Sequence, residues 1–291
     1  DALPIYDVRF APPEMPRLRR SQQGMALFLL LILGLTIGAS LFLSTWNRSA
    51  PRLAQEKASQ LSLLQAKQAL IAYAVSVYPA GDVRPGDLPC PDTNNDGKKE
   101  NACGNASGSS GQAARLGRLP WRSLGLPDLR DGSGERLWYA VSNNFKENSR
   151  HLPLNSDTTG SIRVVDSGGN LIPDVIAVIF APGPPLQRLN AGAVQNRTPA
   201  GENVAANYLD ETSTEDNADF VDYGANGFAD GIVRDAQGRI LVNDTLLTIT
   251  SADLIPLLEK KVAATVLKCL EDFAGFTLGT TNNQGRYPWP A

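Results

Sequence analysis

Histidine occurs once in the 291 residues, cysteine three times and methionine twice. A catalytic zinc site needing three or four His/Cys ligands would consume nearly all of them, so zinc is set aside. There is no basic excess either: 27 basic residues stand against 30 acidic ones, a net charge of −3. Without a basic stripe, a nucleic-acid partner held through phosphate contacts is excluded. No nucleophile elbow, Walker loop, Rossmann glycine triplet or HExxH helix is found. His151, in an Arg-His-Leu-Pro context that reads as a loop, is the one available imidazole base, so no enzyme is expected. Disorder of the bulk is excluded by a hydrophobic fraction of 42%.

Between Arg20 and Arg48 charge is absent altogether, and Met25 to Leu43 is almost wholly Leu, Ile, Phe, Ala and Gly. Such a run is about 28 Å of helix, enough for a bilayer core. Arg17, Arg19 and Arg20 precede it and place the N-terminus in the cytoplasm, although Arg48 and Arg52 follow on the far side. Three readings are open. A cleaved secretory signal requires an apolar stretch of about 7 to 15 residues and a small-x-small site, which Leu41-Phe42-Leu43 does not offer. A plain signal anchor explains the apolar run alone. The third reading starts from Gly24, where the polar leader stops and the apolar run starts.

Arg20-Ser21-Gln22-Gln23-Gly24 followed by Met25-Ala26-Leu27-Phe28-Leu29-Leu30-Leu31 resembles the prepilin signal of type IV pilins and type II secretion pseudopilins. The resemblance implies cleavage after Gly24 by a prepilin peptidase and N-methylation of Met25. It also implies storage in the bacterial inner membrane with the ectodomain in the periplasm, followed by assembly with other subunits into a pilus or pseudopilus. One position departs: the family usually carries a glutamate five residues into the mature chain, where this chain has Leu29. That departure resembles the large minor subunits found at filament tips.

Beyond the apolar run, Leu53, Ala54, Leu61, Leu64, Ile71, Val75 and Tyr78 recur at spacings near three and four among polar residues, the pattern of an amphipathic helix. One helix from Met25 to Tyr78, kinked at Pro51, is therefore expected. Cys90 and Cys103 should pair outside the cytoplasm, closing a loop worth about 3 kcal/mol in chain entropy. Within it Asp92, Asn94, Asp96 and Gly97 match the first, third, fifth and sixth positions of an EF-hand-type loop. The last position is Cys103, so Glu100 or a distant carboxylate would have to complete a Ca2+ shell; a bare Asx-rich turn is the alternative.

Trp121, Trp138 and Tyr139 read as core. Residues 161–165 and 175–181 read as a hairpin about the Asp166–Asn170 turn, its second strand central because it is continuously apolar. Eight acidic residues and no basic ones lie between Arg197 and Arg234. This tract reads as a solvated loop or as a second Ca2+ site drawing on Asp216, Asp219 and Asp222. Ile240 to Thr250 reads as a final strand. Asp253 then caps a helix with Pro256 in its first turn and Ile255, Leu258, Val262, Val266, Cys269 and Phe273 on one face. Cys269 is expected to be buried, with a partner outside this stretch of chain.

The expected architecture is α+β: a long, partly transmembrane N-terminal helix packed on an antiparallel sheet, with loop-rich insertions and a C-terminal amphipathic helix. Residues 1–24 are the leader, 25–78 the long helix and 79–291 the extracytoplasmic domain. The Cys-Pro-Asp loop, the Leu119-Pro120-Trp121 run and the Trp138-Tyr139 strand resemble the ectodomains of large prepilin-type proteins, a likeness that implies no chemistry.

Overall fold

The computed structural model describes residues 21–76, 84–104, 112–147, 154–189, 192–220, 227–275, 277–278, 281–282 and 287. The chain divides into two compact units, Asp1–Leu53 and Ala54–Ala291. Helix α1, Ser21–Ser76, carries Pro51 within it, two residues before that division. It begins four residues earlier than the Met25 expected from the sequence, and Tyr78 and His151 lie outside the described residues.

In the first unit, Met25, Leu27, Phe28, Leu29, Leu30, Leu31, Leu33, Leu35 and Ile37 are all more than half exposed. The hydroxyls of Thr36 and Ser40 donate to the carbonyls of Leu33 and Ile37 at 2.9 and 2.8 Å. Their polar atoms are thus satisfied by the helix itself. The partly transmembrane character expected of this helix is not met: among the described residues no helix is long and apolar enough to cross a membrane.

The second unit is built around strand β4, Leu171–Ala181, whose last seven residues are all buried. β2 (Trp138–Val141) pairs antiparallel with residues 177–180 and β3 (Ile162–Val165) with residues 171–175, end to end along one edge. β8 (Thr245–Thr250) pairs antiparallel with 175–181 along the other. β1 (Leu116–Arg118) extends the sheet beyond β2. β5 (Phe228–Ala229) pairs parallel with β3, so the sheet is mixed and not antiparallel throughout. The return from β3 to β5 runs through β4 and the acidic tract, long enough for the crossover that a parallel pair needs. The expected hairpin is present, with Asp166 accepting the turn N–H groups of Gly168 and Asn170 at 2.9 and 2.8 Å.

Both faces of β4 are covered, which is why its sequence is continuously apolar. On one face Ile176, Ile179, Tyr139, Val141 and Phe145 pack with Leu63, Ala66, Leu70 and Ala74 of α1. These four recur every three or four residues, the buried stripe of an amphipathic helix. On the other, Val178, Phe180, Trp138 and Val164 pack with Tyr208, Leu209, Phe220 and Phe228. The edges of Phe180 and Phe228 meet T-shaped at 4.9 Å. Trp138 and Tyr139 are core, as expected; Trp121 is only partly buried and stacks under Arg122 at 4.8 Å.

The segment read as one strand from Ile240 to Thr250 is two. β7 (Ile240–Val242) pairs with β6 (Val233–Arg234), and β8 follows after Asn243 and Asp244. Helix α2, Ser251–Gly275, then buries Leu254, Ile255, Leu258 and Ala274. Asp253 does not cap it directly but reaches back to accept the Thr250 N–H at 2.9 Å, the second half of a capping box, while Lys67 of α1 donates to the same oxygen. Cys269 is exposed. The apolar stripe is continuous along α2, but Val262 and Val266 on that stripe are about half exposed, so its middle is not covered by the core. β9 (Thr277–Leu278) and β10 (Thr281–Asn282) form a short hairpin after it.

Candidate functional site: the disulfide loop and the acidic tract

Cys90 and Cys103 are bonded, with Cα atoms 5.5 Å apart, and both are fully buried in the main core. The bridge therefore closes the loop and also anchors it beneath α1. At its base Asp92 and Arg118 exchange backbone hydrogen bonds of 2.9 and 2.7 Å. The approach demands glycine at position 117, where a Cβ would stand 2.7 Å from the Asp92 carbonyl oxygen.

Asp92 organises the loop. Its carboxylate is buried and accepts the N–H groups of Asn94, Asn95 and Gly97 at 3.1, 2.6 and 2.6 Å. Burial raises its pKa more than these three donors lower it. Asn94 Oδ1 accepts the Asp96 N–H at 3.0 Å and Asp96 Oδ1 the Lys98 N–H at 2.7 Å. Glu100 accepts from the Thr93 hydroxyl at 2.8 Å. The four candidate Ca2+ ligands are thus arranged as successive Asx turns plus a clasp across the loop. Among the described residues no group of three or more His, Cys, Asp or Glu side chains is placed to hold a metal ion. Outside the loop, Glu147 accepts hydrogen bonds from Lys99 and from Tyr73 of α1, joining loop and helix.

The acidic tract is not a solvated loop. Arg188, itself buried, donates to Glu211 and Asp216, both at 2.7 Å. Burial works against its charge, but the hydrogen bonds and charges of these two carboxylates raise its pKa overall. Arg163 pairs with Glu215 at 3.0 Å, and Asp230 accepts the Leu246 N–H at 2.7 Å. Asp210 and Asp244 form a buried pair. Asp244 Oδ2 accepts from the Asp210 N–H at 2.8 Å and from Asn217 Nδ2 at 2.7 Å. Asp210 accepts from Gln195 Nε2 at 2.9 Å and from the Asn243 N–H at 2.8 Å. Burial pushes Asp210 up to about 6. Burial and the neighbouring Asp210 charge push Asp244 well above the usual carboxylate range. Of the second Ca2+ set, Asp216 is committed to Arg188 and Asp219 is exposed, while Asp222 lies outside the described residues.

The processing pair sits in α1: Gly24 falls three residues inside its start, and the Met25 side chain is exposed. Residues that sequence reasoning missed are Arg188, Asp210 and Asp244, whose partners come from separate stretches of chain. The signal that could have found Asp244 is the Asn-Asp pair interrupting an otherwise apolar β pattern. Comparison with protein-family models, curated proteins and solved structures gives no match.

Proposed function

We propose that this chain is a minor structural subunit of a type IV pilus or type II secretion filament, held in the inner membrane before assembly and placed at the tip or in initiation. The observation that carries the reading is α1. Its first part exposes nine large apolar side chains from Met25 to Ile37, and its later turns are built into the core through Leu63, Ala66, Leu70 and Ala74. Each large apolar side chain left in water forgoes about 1.5–3 kcal/mol of burial, so this surface requires an apolar cover of lipid or neighbouring helices. Thr36 and Ser40, with hydroxyls turned onto their own helix, suit such a cover.

Processing after Gly24 by a prepilin peptidase would leave a free amine on Met25. Inside a bundle of apolar helices that ammonium is costly unless paired. Leu29 offers no carboxylate to a neighbour's amine, which disfavours a repeating shaft position and suits a tip, where fewer neighbours need neutralising. The action is mechanical and not catalytic. Quantifying the chain in sheared filaments tests this: trace amounts at filament ends are expected. Stoichiometry equal to the major subunit would contradict tip placement. Complete absence would favour a membrane-anchored ligand- or calcium-binding ectodomain that never enters a filament.

A further inference from the structure

Within the second unit, α1 and α2 leave an open trough of about 650 Å3 between them. Its walls are aliphatic, with Ile71 and Val75 of α1 on one side and Leu257 and Ala264 of α2 on the other. Lys260 and Lys261 also line it, and Gln68 is the other polar residue on the lining. Leu257, Lys260, Lys261 and Ala264 are spaced by three and four, so they share one face of α2, opposite the stripe that carries Val262 and Val266. Ile71 and Val75 rest on the main core and are only partly buried, and Leu257 is 46% exposed. The trough is thus supported from beneath and uncovered from above.

The two lysines have no counter-charge. Three and four places from each along α2 stand only Pro, Leu, Ala and Thr. Residues 57–76 of α1 contain no Asp or Glu, and Lys67 among them is paired with Asp253. Glu259, the carboxylate next in sequence, lines a separate cavity on the other flank of α2, beside Leu154 and Leu258. Both lysines are exposed and in no ion pair among the described residues. An apolar trough bordered by two such cations complements an acyl chain with a net negative headgroup, the lysine stems extending the wall while their ammonium groups stay at the water. A zwitterionic headgroup would bring a cation for which the lining has no carboxylate. From Leu257 to Ala264 the trough is about 10 Å long, two turns of helix, which is short for a docked partner helix. Its volume lies within the range of small-molecule sites, about 300–1,000 Å3.

We infer that this trough binds an anionic phospholipid, its acyl chain laid on Ile71, Val75, Leu257 and Ala264 and its headgroup held by Lys260 and Lys261. The supply of lipid rests on the membrane storage proposed above, whereas the binding itself rests on the trough alone.

The test gives the full chain, in dodecyl maltoside micelles, equal amounts of dioleoyl phosphatidylglycerol and dioleoyl phosphatidylcholine, and quantifies retained lipid by mass spectrometry of the intact complex. Arg20 and Arg48 at the ends of the apolar run add a background preference for the anionic lipid, so the reading is the part that the trough variants remove. K260Q/K261Q should lower the ratio of phosphatidylglycerol to phosphatidylcholine by about fivefold, the order of one or two exposed charge contacts. K268Q, at a lysine of α2 off the lining, should leave the ratio as in wild type. A264F keeps both charges but fills the trough, and should lower the ratio as K260Q/K261Q does. All four positions are exposed, so these changes keep the fold. A ratio unchanged in K260Q/K261Q would overturn the site. A ratio lowered there but kept in A264F would reduce the effect to surface charge and overturn the trough. A dimer in the same spectra that A264F abolishes, with the lipid ratio unmoved, would assign this face to a second copy. None of these outcomes bears on filament stoichiometry, so failure here and failure of the subunit role are told apart.

Discussion

Replacing Asp244 by asparagine should make this protein more stable at neutral pH, although it alters a fully buried residue. Asp244 and Asp210 share one enclosure, and Asp244 Oδ1 has no hydrogen-bond partner among the described residues. Burial raises both carboxyls, and Asp210 reaches about 6 against an ordinary value near 3.8. A carboxyl whose folded pKa is raised contributes stability that is whole below its unfolded pKa and is lost as the pH rises through the folded one. For Asp210 that window runs from about pH 4 to about pH 6. At about 1.4 kcal/mol per pKa unit, a rise of about two units corresponds to roughly 3 kcal/mol lost by neutral pH. Carboxylates of the opposite kind set the acid limb. Asp128, Glu215 and Asp253 are each held low against their burial, Asp128 chiefly by Arg136 and Arg130, Glu215 by Thr214 and Arg163, and Asp253 by the Thr250 N–H and Lys67. Their contribution fades only as the pH falls through their depressed values, so wild-type stability should peak near pH 4 and decline from there to about pH 6. D244N mimics the protonated acid and can still accept from Asn217 and from the Asp210 N–H. Denaturant unfolding across a pH series should show D244N matching wild type near pH 4 and exceeding it by about 1–3 kcal/mol at pH 7. Wild-type stability that rises steadily from pH 4 to pH 8, or a D244N variant that is weaker at pH 7, would refute the reasoning.

R188M removes the cation shared by the Glu211 and Asp216 carboxylates, in a site where the Arg188 and Glu211 side chains are under a tenth exposed. Loss of about 3–5 kcal/mol in denaturant unfolding is expected, and a loss below about 1 kcal/mol would show the ions to be solvated. C90A/C103A frees the fourteen-residue loop and should cost about 3 kcal/mol from chain entropy, with the slope against denaturant reporting any change in the unfolded state. Melting curves with millimolar calcium and with chelator should coincide, because Asp92 is occupied by backbone donors and Glu100 by Thr93. A higher midpoint in calcium would assign the cation to Asp92, Asn94, Asp96 and Glu100.

What could be read from the sequence follows from how local the physics is. The hairpin about Asp166 and the central placement of β4 depend on spacing within short windows, and they stand in the structure. The later part of α1 is amphipathic, but its buried stripe is Leu63, Ala66, Leu70 and Ala74, whereas Leu53, Leu61 and Leu64 of the expected stripe are exposed and Ile71 and Val75 only partly buried. The disulfide followed from compartment chemistry and is formed. The acidic tract misled because its neutralising groups are remote in sequence: Arg163 and Arg188 lie before it, and Asp230 is satisfied by a backbone N–H of β8. Cys269 was placed on the correct stripe of α2, but no periodicity reveals how much of a stripe the core covers. The parallel β3–β5 pairing was equally hidden, since β5 is two residues long and carries no alternation of its own. Arg118 and Trp138 are adjacent only through strand register, which no spacing between positions 118 and 138 specifies.

At Gly24 a polar stretch of sequence meets the side chains that begin the exposed apolar surface of α1, and the proposed subunit role requires cleavage there. Mass spectrometry of the N-terminal peptide, from cells that contain a prepilin peptidase, tests it most directly. The proposed role predicts a chain that starts at N-methylated Met25 and, in a variant with a bulky residue at Gly24, one that retains its leader. An unprocessed leader in the wild-type protein would contradict it.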